Sequence, residues 1–331
     1  MSPVRVIIYG AGAVGSVIGG RLVQGGADVA LVARPAHAAA IRERGLTLRT
    51  AKDREVVNIN AVASVDQLKP TRADVVIITA KTQDTAEIHS TLLEWNSSIP
   101  VVCGTNGVEH ERSALRRFAN VYGMVIHLPA QFEKPGEVTA LCAPLNGVLD
   151  VGRYPSGVDD TVIELASMID TSPRLSSVPD DDVMTKKYGK LLVNLGNTAD
   201  AACGNDGRRA RVVAAAMEEA RHVYRAAGIR WEQPAERADG YKARTGMMKF
   251  DIPEGDVFLG GSTWQSLAKG SSTIETDYFN GEIAMLGRMH GVPAPVNEFL
   301  QAFAMQMLRE RRPAGTVPVD ELDAAWEAAV G

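Results

Sequence analysis

Cysteine is scarce: Cys103, Cys142 and Cys203 are the only three in 331 residues. They form no CxxC pair or ligand-spaced cluster and cannot all pair with one another, which excludes a disulfide framework and gives no metal site. A reducing compartment, the cytoplasm, is the expected location. An excess of positive charge is absent as well. Thirty-five Lys and Arg against 40 Asp and Glu leave a net charge of −5, so there is no basic field for a polyanion and nucleic acid is not an expected partner. No apolar run approaches the ~18–20 residues that span a bilayer. The first apolar stretch, VRVIIYGAGAVG, breaks into glycines where a secretion signal would continue, so neither membrane attachment nor export is expected. Internal repeats and low-complexity tracts are missing too. What is present is 45% hydrophobic content over 331 residues, which can bury a large core and, at ~100–200 residues per domain, predicts two domains.

The first half alternates short Val/Ile-rich runs with helical patterns: VRVIIYG (4–10), DVALVAR (28–34), ADVVIITAK (73–81), IPVVCGTNG (99–107) and NVYGMVIHL (120–128). Strands that are apolar throughout, without polar alternation, belong to a parallel sheet covered on both faces. EVTALCA and GVLDVGRY, between Pro135 and about Pro155, read as the far edge of the same domain, followed by a helix near 160–170. After VPDDD (178–182) the texture changes to long helical patterns at 182–203, 208–228, 262–269, 273–291 and 294–310. The predicted fold is therefore α/β: a parallel-sheet domain over 1–178 followed by an all-α domain over 179–331. The stretch from Pro313 onward reads as a loosely attached tail with one short helix.

Gly10-Ala11-Gly12-Ala13-Val14-Gly15 follows the first strand directly and opens a helical pattern. In this context the first glycine permits a tight turn, the second lets the backbone approach a pyrophosphate, and the third lets helix pack on strand. This is the signature of a Rossmann dinucleotide-binding unit. The second strand indicates which dinucleotide. An acid at its tip would bind a ribose 2′-hydroxyl, but VALVARPAHA ends on Arg34, and Asp28 lies too early. A guanidinium matches a 2′-phosphate, so NADP(H) is the expected cofactor.

Hydride transfer to a ketone needs a positioned acid, usually His or Lys. Of the histidines, His37 and His89 fall in amphipathic helical patterns and are expected at the surface; His127 ends a strand and reads best as a locally bonded core histidine. Lys190, Asn194 and Asn197 would share one face of a helix whose other residues, Leu191, Leu192, Val193 and Leu195, are apolar. Such a polar stripe calls for a hydrated cleft or a ligand, because unpaired buried polar groups are costly. Ser272 and Glu275 fit an S-x-x-E capping box, and from spacing alone Glu275 would close its own helix.

Four motifs change that balance. The glycine loop, TNG at 105–107, KLxxN at 190–194 and ExDYxNG at 275–281 stand in the order and spacing of the ketopantoate reductases (2-dehydropantoate 2-reductases), which this chain resembles to about residue 310. The resemblance implies reduction of 2-dehydropantoate to pantoate, with Lys190 as general acid and Glu275 binding the hydroxyl end of the substrate. It implies that Asn106 lies between nicotinamide and Lys190 and that Asn194 hydrogen-bonds substrate; helical geometry lets Asn197 face the same cleft. Ser262 would grip the carboxylate, with Thr263 as rival, and Lys81 would lie near the nucleotide, unless it is a plain strand-end lysine. Family habit implies a homodimer through the helical domain. Two departures fall on the substrate side. Thr198 stands where the family usually carries a second Asn eight residues after the lysine, and Ser271-Ser272-Thr273 makes the approach to the glutamate one residue longer. A reductase of another 2-oxo acid, an opine-type dehydrogenase and a non-catalytic NADP(H) sensor are the alternatives.

Overall fold

The protein is described by a computed structural model for residues 4–233, 235–256, 260–268 and 270–330. It divides into two compact units, one made of residues 1–106, 110–184 and 234–257, the other of 107–109, 185–233 and 258–331.

Every strand among the described residues lies in the first unit. In chain order they are β1 (Val6–Tyr9), β2 (Val29–Val32), β3 (Leu46–Arg49), β4 (Arg54–Val57), β5 (Asn60–Val62), β6 (Val75–Ile78), β7 (Val101–Cys103), β8 (Val121–His127), β9 (Ala130–Lys134), β10 (Glu137–Ala140), β11 (Cys142–Pro144), β12 (Gly147–Arg153), β13 (Leu175–Ser176) and β14 (Met248–Phe250). The main sheet runs β13-β12-β8-β7-β6-β1-β2-β5. It is parallel from β8 to β5, with β12 antiparallel to β8 at the other edge. The period of two explains why its strands are apolar throughout. Val6, Ile8, Leu31 and Ile77 pack into one core, while Ile7, Ala30, Val32, Val76 and Ile78, on the opposite face, pack into another.

A second sheet, β4-β3-β10-β9, was not foreseen in the sequence. Of the two runs expected at the edge of the main sheet only GVLDVGRY lies there: Cys142–Pro144 pairs with β14, and EVTA joins this second sheet as β10. The helix Ala13–Gln24 packs against it so closely that a Cβ on Gly20 would lie 2.8 Å from a Leu48 methyl.

The units also depart from a single cut near 178. Val183 and Met184, the first residues of the helix Val183–Asn194, stay with the first unit. Gly123 and Gly152 leave the room Val183 fills: a Cβ on either would meet it within 3.0 Å. Residues 234–257 return to the first unit for identifiable reasons. β14 pairs with β11, Arg244 donates two hydrogen bonds of 2.7 and 2.9 Å to the fully buried Asp150 carboxylate, and Tyr241 Oη lies 2.6 Å from His127 Nε2.

The second unit is helical among its described residues, with Asn197–Cys203, Arg211–Ala226, Ser262–Ala268, Asn280–His290, Pro295–Glu310 and Val319–Val330 as its complete helices. Lys269, where one helical pattern was expected to end, lies outside the described residues. The C-terminal stretch is not a loose tail. Val317 and Leu322 enter the core with Ala199, Val212, Leu300 and Met307, and the buried Asp323 carboxylate accepts the Arg211 and Val212 N–H groups at 3.0 Å. It thereby caps a helix a hundred residues upstream, a partner no local pattern could reveal.

Candidate active site

The three glycines of the first loop meet three different surroundings. Gly10 has φ +95°, and a Cβ there would sit 2.5 Å from the Ala80 nitrogen. A Cβ on Gly15 would collide with Thr79 Oγ1 and lie 2.9 Å from the Gly10 carbonyl. Gly12, by contrast, faces open space, with nothing nearer than the Gly10 carbonyl at 4.0 Å. Two glycines are thus required by packing and one leaves a gap. The helix starting at Ala13 has no side-chain cap and no acid in its first turn, which includes Val14. The first-turn amides therefore present an uncompensated positive end, and the gap at Gly12 leads to it; this cradle fits a dinucleotide pyrophosphate.

The other residues singled out in this unit also stand beyond the carboxyl ends of parallel strands. Exposed Arg34 is the N-cap residue of the helix Pro35–Arg44, just past β2. Half-buried Lys81 precedes the short turn Thr82–Asp84 after β6. Half-buried Asn106 follows β7, its carbonyl accepting from Thr82 Oγ1 at 3.4 Å. Its neighbour Thr105 is bonded through Oγ1 to His110 Nδ1 at 3.2 Å, and His110 Nε2 lies 3.0 Å from His89 Nε2.

His37 and His89 are not surface residues: they are 3% and 0% exposed. Their helices turn these rings inward because each ring finds a polar partner there, Ser16 Oγ for His37 and His110 for His89. Burial lowers both to about 4, with the Arg117 charge adding to the effect on His89.

In the second unit Lys190 and Asn194 lie four residues apart on the helix Val183–Asn194 and share a face. Asn197 stands on the next helix. The helix ends at Asn194, the chain turns through Leu195 and Gly196, and Asn197 begins a new helix with Gly196 as its N-cap. Half-buried Lys190 has its pKa lowered to about 7, chiefly by burial and next by the Lys187 charge, with the Glu275 carboxylate opposing both. Such a lysine holds a proton it can release at neutral pH.

Glu275 is buried and accepts a hydrogen bond from Ser262 Oγ at 3.1 Å. It makes no capping bond to the turn Thr276–Tyr278, and the helix that follows starts only at Asn280, so no capping box forms. Asp200 accepts the Gly261 N–H at 2.8 Å and so fixes the entry to the Ser262 helix. Two further buried polar atoms here have no hydrogen-bond partner among the described residues, Asn194 Nδ2 and Thr263 Oγ1. Each is a standing cost unless a ligand meets it. The structure thus brings Lys190, Glu275 and Ser262 into one electrostatic and hydrogen-bonded group, with Asn194 one helical turn from the lysine.

Thr198 and Asn280 belong to a buried scaffold instead. Thr198 Oγ1 lies 3.4 Å from Thr276 Oγ1, and Asn280 Nδ2 donates to the Leu195 carbonyl at 3.3 Å and to Asn297 Oδ1 at 3.0 Å. Asn297 in turn donates to Glu219, whose carboxylate caps the helix Pro295–Glu310 through the Val296 and Asn297 N–H groups. Asn297 and Glu219 carried no motif; only Pro295 at the helix start signalled that a cap was due. Among the described residues no group of three or more His, Cys, Asp or Glu could hold a metal ion, and no helix is long and apolar enough to cross a membrane.

Residues 6–155 match the family described as Ketopantoate reductase PanE/ApbA, and residues 182–307 match its C-terminal counterpart. A 2-dehydropantoate 2-reductase of Pyrococcus abyssi is 25% identical over 310 residues, covering 89% of this chain and 95% of its own length. One from Archaeoglobus fulgidus is 28% identical over 305 residues, with 89% and 95% covered. Among solved structures, a PanE/ApbA family ketopantoate reductase from Ralstonia eutropha superposes with a TM-score of 0.75 at 26% identity, covering 93% of this chain and 99% of that one. D-mandelate dehydrogenase with NADH and anilino(oxo)acetate shares the fold, with a TM-score of 0.73 at 21% identity over 93% and 99%.

Proposed function

The chain belongs to the ketopantoate reductase family, and we propose that it reduces 2-dehydropantoate to pantoate with NADPH, Lys190 acting as general acid. The observation that carries this reading is Lys190 itself, held near pKa 7 beside a buried glutamate. When bound, the nicotinamide supplies the hydride that the substrate carbonyl carbon receives. Gly10 through Gly15 would cradle the pyrophosphate, Arg34 would pair with the 2′-phosphate, and Lys81 and Asn106, at the ends of β6 and β7, would line the nucleotide. Lys190 gives its proton to the carbonyl oxygen, and its charge stabilises the negative charge developing there. Glu275 accepts the substrate hydroxyl, Ser262 binds the carboxylate, and the unpartnered amide of Asn194 finds its acceptor on the substrate. Asn197 reaches the substrate from the start of its own helix.

The test is NADPH consumption with 2-dehydropantoate against a panel of other 2-oxo acids, for wild type and Lys190→Ala. Wild type should prefer 2-dehydropantoate, and the variant should lose about 10²–10⁴-fold in turnover. Wild-type-like turnover by Lys190→Ala would remove the acid assignment. One observation favours a second reading, another branched or aromatic 2-oxo acid: Thr198 stands where the family usually carries its second asparagine, so that position offers no amide. A higher kcat/KM for such an acid in the same panel would establish it.

A further inference from the structure

We infer that His37 is a positioning residue for dinucleotide binding, holding the glycine loop and the Arg34 helix in one register through a hydrogen-bond chain of fixed direction. The inference rests on reading the loop and Arg34 as the cofactor site.

The chain begins at Gly136, in the turn between β9 and β10, whose N–H points at His37 Nδ1 from 2.8 Å. An amide can only donate, so Nδ1 must be the bare, accepting nitrogen. A neutral imidazole then carries its proton on Nε2, which donates to Ser16 Oγ at 3.0 Å. The serine hydroxyl is left to donate to the Ala11 carbonyl at 3.3 Å. No link can be reversed without leaving two donors face to face. His37 and Ser16 are 3% and 0% exposed, so water cannot replace a lost link freely, and the ring is packed at 4.9 Å from Phe132.

Both ends of this chain bear on the nucleotide. Ala11 and Gly12 share a peptide plane, so the Ser16 bond to the Ala11 carbonyl and the 2.7 Å bond from the Gly12 N–H to the Gly10 carbonyl hold one plane from its two sides, at the one glycine of the loop whose surroundings are open. His37 is also the third residue of the helix Pro35–Arg44, and its own N–H bonds to the Arg34 carbonyl at 2.9 Å. The turn at Gly136 is a rigid base: Gly136 has φ +86°, a Cβ there would press on Ala40 at 3.1 Å, and its carbonyl accepts the Thr47 N–H at 2.8 Å. The second sheet thus serves as the mount for the cofactor loop.

The test compares His37→Gln, His37→Asn, His37→Phe and Ser16→Ala by NADPH and NADH dissociation constants and by Tm. A glutamine amide reaches the Nε2 position and keeps the bond to Ser16; an asparagine amide reaches only the Nδ1 position and keeps the bond to Gly136. The Phe and Asn variants and Ser16→Ala should bind NADPH about tenfold more weakly, the size of one buried hydrogen bond, and Gln should stay within about threefold of wild type. At saturating NADPH kcat should be unchanged in all four. Equal affinity of the Gln and Asn variants, losses that simply follow Tm, or Ser16→Ala binding like wild type would each overturn the inference. Should the His37 variants not fold, Ser16→Ala decides alone. If wild type binds NADH more tightly than NADPH, the Arg34 reading fails but the His37 series is judged on NADH; if it binds neither, both fail together.

Discussion

The two units build their candidate sites from different materials. In the first, the cradle is mostly backbone: a turn at Gly10, an open flank at Gly12 and the amides of a helix with no cap of its own. In the second, it is side chains brought from distant segments, Lys190 from one helix, Ser262 from another and Glu275 from a turn. A backbone cradle depends on spacing and on what surrounds each glycine, so it should fail through shape. A side-chain cluster depends on mutual charge, so it should fail through titration. The largest expected effects break the first half of this contrast. Gly12→Val should cost little in packing, since the residue faces open space, yet weaken NADPH binding on the order of a hundredfold by filling the place a pyrophosphate would take. Gly15→Val should do the opposite first, lowering Tm by several degrees, because its Cβ would meet Thr79 and the Gly10 carbonyl, an overpacking cost of ~1–3 kcal/mol. Calorimetry and fluorescence titration separate the two, and similar Tm losses in both variants would erase the distinction between packing glycine and ligand glycine.

The second half of the contrast is sharpened by charge. Glu275 raises the proton affinity of Lys190, while burial and Lys187 lower it. Glu275→Gln should therefore move the Lys190 pKa further down, so that the fall in kcat/KM above neutrality begins at lower pH. KM for the 2-oxo acid should also rise about 10–100-fold as a hydrogen bond to a charged acceptor is lost. Lys187→Met should displace the same limb toward higher pH. A pH profile that stays put in both variants would show that Lys190 is not the group being titrated.

The same contrast explains what could be read in advance. Continuous apolar strands, a glycine loop with strand before and helix after, and an arginine at the second strand tip are local patterns, and local patterns survive in sequence. The helix Val183–Asn194 was legible for the same reason, but its end was not: the helical pattern runs on past Asn194, while the structure starts a second helix at Asn197 with Gly196 as its N-cap. Glu275 is the instructive case. Its spacing from Ser272 satisfies a capping box, and only the helix starting at Asn280 and the bond from Ser262 give it another use. The second sheet, the return of residues 234–257 and the cap from Asp323 all rest on partners far away in sequence, such as Asp150 for Arg244. His37 and His89 were misplaced because a histidine on a helix face carries no sign of whether a hydroxyl or a second imidazole awaits it inside.

Those two histidines set the smallest expected effect, and it belongs to the first unit alone. Both are lowered from 6.5 to about 4, so the folded state holds them neutral where an unfolded chain would bind protons. Their contribution to stability is complete above about pH 6.5 and is lost as pH falls toward 4. His89 faces His110 and the charge of Arg117, and His37 faces Ser16 and the Gly136 amide, so neither gains an acid that would favour its charged form. The paired carboxylates Asp74, Glu55 and Asp159 are held below the usual carboxylate range, and what they contribute is lost only at lower pH. Tm of the wild type should therefore drop by a few degrees between pH 7 and pH 4.5. His37→Gln with His89→Gln should start from a lower Tm at pH 7 and show a flatter slope, because the double variant has no imidazole left to charge at these sites. If the double variant falls as steeply as wild type, the acid sensitivity lies in the carboxylates, and the buried histidines are held for geometry only.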